Sequence, residues 1–239
     1  MPRPFKHWKV LPHGPLEEIE EGILSVTGDI RMPLGTFKRR MTIVRLEDRR
    51  LVIYSAIALD EERMAFIESY GLPAFLVVPS DMHRLDARIW KERYPLMQVV
   101  APEGAREKVE QVVHVDTTQP DFGDSNVRFI TVWGVEAHEA ALVVLTSRGT
   151  TLIVNDILGN IHDADGVAGW LLRKAGFAGD GPQVPRVVKM KIVDDIEALG
   201  AQLDQWAEIP SLSRIIVSHG DMIEDDPRGM LRGLARSLQ

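Results

Sequence analysis

Cysteine is absent from the chain, which excludes disulfides, thiolate-held iron–sulfur clusters, a thiol nucleophile and thiolate zinc sites. Any bound metal must then be held by His, Asp or Glu. Long apolar runs are missing too, since nothing approaches the roughly 18 uninterrupted apolar residues that span a bilayer. The opening MPRPFKHWKVLPHGPLEEIEEG carries charges and prolines but no apolar stretch of signal-peptide length. A cytoplasmic protein without membrane attachment is expected. Positive charge is in deficit, with 28 Lys and Arg against 35 Asp and Glu and a formal net charge of −7. Non-specific binding to nucleic acid, which needs a basic face turned toward the phosphates, is therefore disfavoured. No serine-nucleophile motif, phosphate-binding glycine loop or dinucleotide fingerprint occurs.

What is present is an ordinary globular composition, 45% hydrophobic and 26% charged over 239 residues, enough to bury a sizeable core. Residues 1–21 read as an arm broken by Pro2, Pro4, Pro12 and Pro15. Strand-like runs follow at 22–30, 40–48 and 50–57, then a helix at 60–71 that Asp60 can cap and Gly71 can stop. PAFLVVPS (73–80) is a short continuous apolar run, as in a strand buried on both faces. Helix at 83–95, strand at 97–102 and helix at 103–112 continue an alternation that favours a layered α/β architecture.

The second half opens on strands again, at 113–118, 127–134, 141–149 and 150–157, with Gly149 suited to a tight hairpin. Residues 164–176 suggest a helix, AGDGPQVP (178–185) a mobile loop, and 192–209 a long amphipathic helix. RIIVSHG (214–220) reads as a buried strand and 226–239 as a terminal helix.

Three of these apolar runs carry polar residues at their ends. VEAHEAALVVLTSRGTTLIVNDILGN (135–160) places His138 just before one strand and Asp156 at the end of the next, and RIIVSHGD (214–221) places His219 at the end of a third. Two imidazoles and a carboxylate suit zinc, iron or manganese, and strand ends hold ligands rigidly. In VVPSDMHRLDARIW (77–90), a buried strand hands over to a helix, and Asp81, His83 and Asp86 are candidate ligands at that junction. Ligand sites of α/β folds lie outside the carboxyl ends of strands. The plainer reading makes Ser80 or Asp81 a helix cap and His83 an exposed first-turn residue.

The order of a His before an apolar strand, an Asp ending the next and a late IVSHG strand resembles the metallo-β-lactamase superfamily. The resemblance covers roughly residues 22–221, with His138, Asp156 and His219 on the family's later ligand motifs. The family's first motif, His-x-His-x-Asp-His, is replaced by Ser80-Asp81-Met82-His83-Arg84-Leu85-Asp86. With His83 on its second histidine, Asp81 falls on the first, Leu85 on the aspartate and Asp86 on the last. HRLDARIWKERYPLMQVVAPEG (83–104) further resembles a divergent branch of the superfamily.

The resemblance implies a four-layer αββα sandwich, a single domain over 22–239 behind the arm, and a metal site at one sandwich edge. It implies one or two divalent ions, zinc before iron or manganese, held by His83, Asp86, His138, Asp156 and His219. Asp156 would bind or bridge, and Asp81 would accept a proton. Metal-activated water would then hydrolyse a small-molecule ester, thioester, lactone, amide or phosphodiester. The same ligands around one iron would serve oxygen or redox chemistry. Loss of the motif aspartate at Leu85 instead favours a non-catalytic metal-binding or scaffold protein.

Overall fold

In the computed structural model, which describes residues 3–32, 35–162, 173, 176, 178–179 and 181–238, the chain divides into two units, Met1–Val127 and Arg128–Gln239. Each is built on its own mixed sheet with helices and its own apolar core.

The first sheet runs β1 (Glu17–Glu20), β2 (Ile23–Met32), β3 (Gly35–Arg45), β4 (Arg50–Tyr54), β5 (Leu72–Val77) and β6 (Gln98–Val100), each strand beside the next. β1 to β4 pair antiparallel, whereas β4, β5 and β6 pair parallel. Parallel neighbours need crossovers, and α1 (Glu61–Tyr70) and α2 (Ala87–Arg93) supply them. The start of α1 follows from chemistry local to it. The Asp60 carboxylate accepts from the Arg63 amide at 3.1 Å, satisfying one of the donors that a helix start leaves bare. Trp90 of α2 is fully buried in the first core beside Met41, Ile53 and Val99.

The N-terminal arm is less free than its prolines suggest. Beyond Pro15, Glu17–Glu20 forms an edge strand on β2. Trp8 packs its ring 5.7 Å from that of Trp90 and donates Nε1–H to the Leu59 carbonyl at 2.8 Å. Residues 113–118, expected as a strand, form no strand and contribute an isolated bridge from Thr117 to Val100.

The second sheet has the order β10 (Leu212–Gly220), β9 (Gly149–Asn160), β8 (Ala140–Thr146) and β7 (Val127–Thr131). β8 and β9 form the tight hairpin expected at Gly149, with Thr146 opposite Gly149. β9 and β10 pair parallel, so the chain between them must cross over. Of that connection, α4 (Arg186–Lys191) and α5 (Ile196–Ala207) are described, and α6 (Pro227–Leu238) closes the chain; a short helix, α3 (Arg106–Glu110), belongs to the first unit. The helix expected at 164–176 falls almost entirely outside the described residues. The long helix expected at 192–209 begins only at Ile196, because Asp195 caps it by accepting from the Ala198 amide at 2.9 Å.

The segment expected to be a mobile loop is pinned where it is described. Gln183 exchanges two backbone hydrogen bonds of 3.0 Å with Gly159, and Gly179 donates to Ile161 at 3.1 Å. These bonds bind the loop to the carboxyl end of β9.

At that end the parallel ladder is interrupted. Val217 pairs with Val154, yet His219 pairs with Gly159, so four residues of β9, Asn155 to Leu158, stand against Ser218 alone. Such a bulge bends the strand that contains it and re-aims its side chains. Gly220 completes the arrangement: its φ is +104°, and a Cβ there would lie 1.9 Å from the Asn160 carbonyl oxygen. Gly220→Ala is expected to destabilise the protein by at least ~1–3 kcal/mol, the usual cost of a strained backbone position. Urea unfolding measures it, and an unchanged midpoint would show that this strand end yields freely.

Candidate metal centre

Asp156 and His219 meet beside this bulge. His219 Nε2 lies 3.1 Å from Asp156 Oδ1, and the two side chains retain 18% and 9% of their exposure. Four residues facing one leave amides and carbonyls that the ladder cannot pair, and buried groups of this kind need partners. Glu139 supplies one from a buried side chain, while Ser218 and Asn155 pair with each other beside it. Ser218 Oγ donates to Asn155 Oδ1 at 2.8 Å. Glu139, fully buried at the edge of β8, accepts from the Ile157 amide through Oε2 at 3.2 Å. The residues on both sides of Asp156 are thereby tied down.

The donor pair fits a divalent cation. With metal–ligand bonds of about 2.0–2.2 Å, neighbouring ligand atoms lie ~3.3–3.5 Å apart in a tetrahedral site and ~3.0 Å apart in an octahedral one. The 3.1 Å separation falls between these values, so an ion can be accommodated with little movement of either side chain.

His138 does not join them. It ends a tight turn in which Glu136 and Ala137 both have positive φ, 45° and 58°. Its amide donates to the Val135 carbonyl at 2.7 Å, and its Nε2 lies 3.9 Å from Glu136 Oε2. Among the described residues it belongs to no metal-binding group with Asp156 and His219. The next residue, Glu139, takes the fully buried position.

In the first unit, His83 lies in the loop after β5. Its amide donates to the Ser80 carbonyl at 3.2 Å, and its Nδ1 is 2.8 Å from Ser55 Oγ. Asp81, two residues earlier, pairs with Lys108 Nζ at 2.5 Å. Asp86, expected as a ligand, has both carboxylate oxygens engaged. Oδ2 forms an ion pair with Arg39 Nη2, and Oδ1 accepts from the Ala58 amide at 3.1 Å. Burial pushes the Asp86 carboxyl above its ordinary range, against the downward pull of Arg39 and of the Ala58 amide. Arg39 also donates Nη1–H to the Ala56 carbonyl at 3.1 Å. The Asp86 charge balances a buried guanidinium and holds the segment 56–58 against the start of α2.

Ser55, Glu139 and the Ser218–Asn155 pair carry no recognisable motif. Their only traces in the sequence are a serine closing the run RLVIY and an acid opening the run AALVVL.

No protein-family model and no curated protein matches the chain. Solved structures do match in fold. The metallo-β-lactamase DIM-1 exposed to ceftazidime superposes with a TM-score of 0.64 at 13% identity, covering 97% of this chain and 100% of its own. TMB-1 gives 0.65 at 12%, covering 95% and 99%. The metallo-β-lactamase FIM-1 of Pseudomonas aeruginosa, in its mono-zinc form, gives 0.60 at 14%, covering 96% and 97%. At these identities the likeness is one of fold, and the α/β fold of metallo-β-lactamase type expected from the sequence is the fold of this chain.

Asp86→Asn and Arg39→Met each leave one member of a buried ion pair without its opposite charge, a loss of about 3–5 kcal/mol. Chemical denaturation is expected to show that loss in both variants. A variant of Asp86 that kept wild-type stability but lost bound metal would return the residue to the ligand set.

Proposed function

On the metallo-β-lactamase fold, we propose that this protein is a metal-dependent hydrolase of a small-molecule substrate, using one divalent cation held by Asp156, His219 and His83. The reading is carried by the 3.1 Å approach of His219 Nε2 to Asp156 Oδ1 at the carboxyl ends of two parallel strands. His83 is taken as the third ligand because its segment lies on the family's first ligand motif in the resemblance. One ion is assigned rather than two because the other candidate ligands are committed elsewhere: Asp86 to Arg39, Asp81 to Lys108, and His138 to its own turn.

Zinc is the first assignment, since it takes imidazole and carboxylate donors and FIM-1, which shares the fold, is described in a mono-zinc form. When bound, the cation supplies a Lewis acid and lowers the pKa of coordinated water toward neutrality. The chain's own contribution is to hold three donors from three strand ends while leaving coordination positions open. Asp81, fixed by Lys108, is assigned as the proton acceptor. The substrate bond is an ester, thioester, lactone, amide or phosphodiester. A second reading is favoured by the donor set itself: two imidazoles and one carboxylate with open positions also suit a mononuclear iron enzyme acting on oxygen.

Elemental analysis of protein purified without added metal tests both readings. Close to one equivalent of zinc is expected, or of iron under the second reading. His219→Ala and Asp156→Ala should each retain at most about a tenth of that metal, because losing a direct ligand costs at least as much as losing its supporting partner. Activity on chromogenic esters and lactones should vanish with a chelator and return with the metal. Wild-type metal content in both variants would contradict the reading.

A further inference from the structure

Ser55 stands out in the first unit. It follows β4, is 1% exposed, and has a φ of 57°. The left-handed region costs a side chain of ordinary chirality free energy that glycine would not incur. Nothing about the chain path demands a hydroxyl here, since the Ser55 amide already donates to the Val77 carbonyl at 3.0 Å as any residue could. The hydroxyl itself is directed at His83, with Oγ 2.8 Å from Nδ1.

An imidazole that binds a metal through one nitrogen usually donates its other N–H to a fixed acceptor, which sets both the tautomer and the plane of the ring. We propose that Ser55 is a positioning residue that accepts Nδ1–H from His83 and so presents the His83 Nε2 lone pair for metal coordination. The inference rests on the metal reading above. It also gives the strain a function: turning the backbone into the left-handed region at Ser55 is what brings Oγ onto the ring nitrogen, and a glycine would relax the backbone but lose the contact. Strained, buried, non-glycine positions cluster at functional sites for this kind of reason.

Two substitutions separate positioning from structure. Ser55→Ala removes the hydroxyl and keeps the strain, whereas Ser55→Gly removes both. Cobalt(II) titration followed by its visible absorption bands reads affinity and coordination, and thermal unfolding of the metal-free proteins reads stability. Both variants should bind cobalt(II) about 10- to 100-fold more weakly than wild type, with altered bands. Metal-free Ser55→Gly should melt at or above wild type, and Ser55→Ala no higher than wild type. Weaker metal binding by a protein of equal or greater stability is a result that a packing role does not produce. Wild-type affinity and bands in Ser55→Gly would overturn the positioning role. His83→Ala separates this failure from the wider one. If His83→Ala binds cobalt(II) as tightly as wild type, His83 is not a ligand, and the metal reading fails at that residue along with this inference.

Discussion

Four residues of one parallel strand facing a single residue of its neighbour is the constraint around which the polar side chains of the second unit are arranged. Continued without interruption from Val154–Val217, the ladder would set Asp156 opposite His219; the interruption instead pairs His219 with Gly159, and the two side chains still meet at 3.1 Å across it. It also leaves backbone groups without ladder partners in a region where unpaired polar groups are costly. Glu139 meets part of that need by accepting from the Ile157 amide, and the Ser218 and Asn155 side chains satisfy each other beside it.

The first unit meets a different problem with similar means. Its loop after β5 has to hold His83 in a set orientation, and the acids flanking that histidine act as anchors. Asp86 is locked to Arg39 and Ala58, and Asp81 to Lys108. A carboxylate buried as deeply as Asp86 is retained ionised only with an opposite charge and hydrogen bonds around it. The acids on either side of His83 thus anchor its loop through ion pairs of their own.

The fold was legible because its signals are long and periodic. The β8–β9 hairpin, the Asp60-capped helix and the parallel strands with crossovers were each written in local chemistry that tertiary packing did not override. The edge strand at Glu17–Glu20 was hidden by the prolines before it, and 113–118, strand-like in composition, failed to find a neighbour beyond one bridge. Around the site, the placement of Asp156 and His219 on neighbouring apolar strands was readable, but the bulge beside them was not, since no residue type marks it. His138 looked like a ligand because of its position before a strand. A turn with two positive-φ residues precedes it, and nothing in VEAHEA marks Glu139 as the buried member. The ion pair of Asp86 was not readable because its partner, Arg39, is 47 residues away in sequence.

Metal binding by the proposed ligands Asp156, His219 and His83 is read by X-ray absorption at the metal edge of protein purified without added metal. A shell of nitrogen and oxygen donors at about 2.0–2.2 Å is expected, with the outer-shell scattering of two imidazoles, falling to one in His219→Ala. A metal shell without imidazole scattering, or one that His219→Ala leaves unchanged, would contradict it.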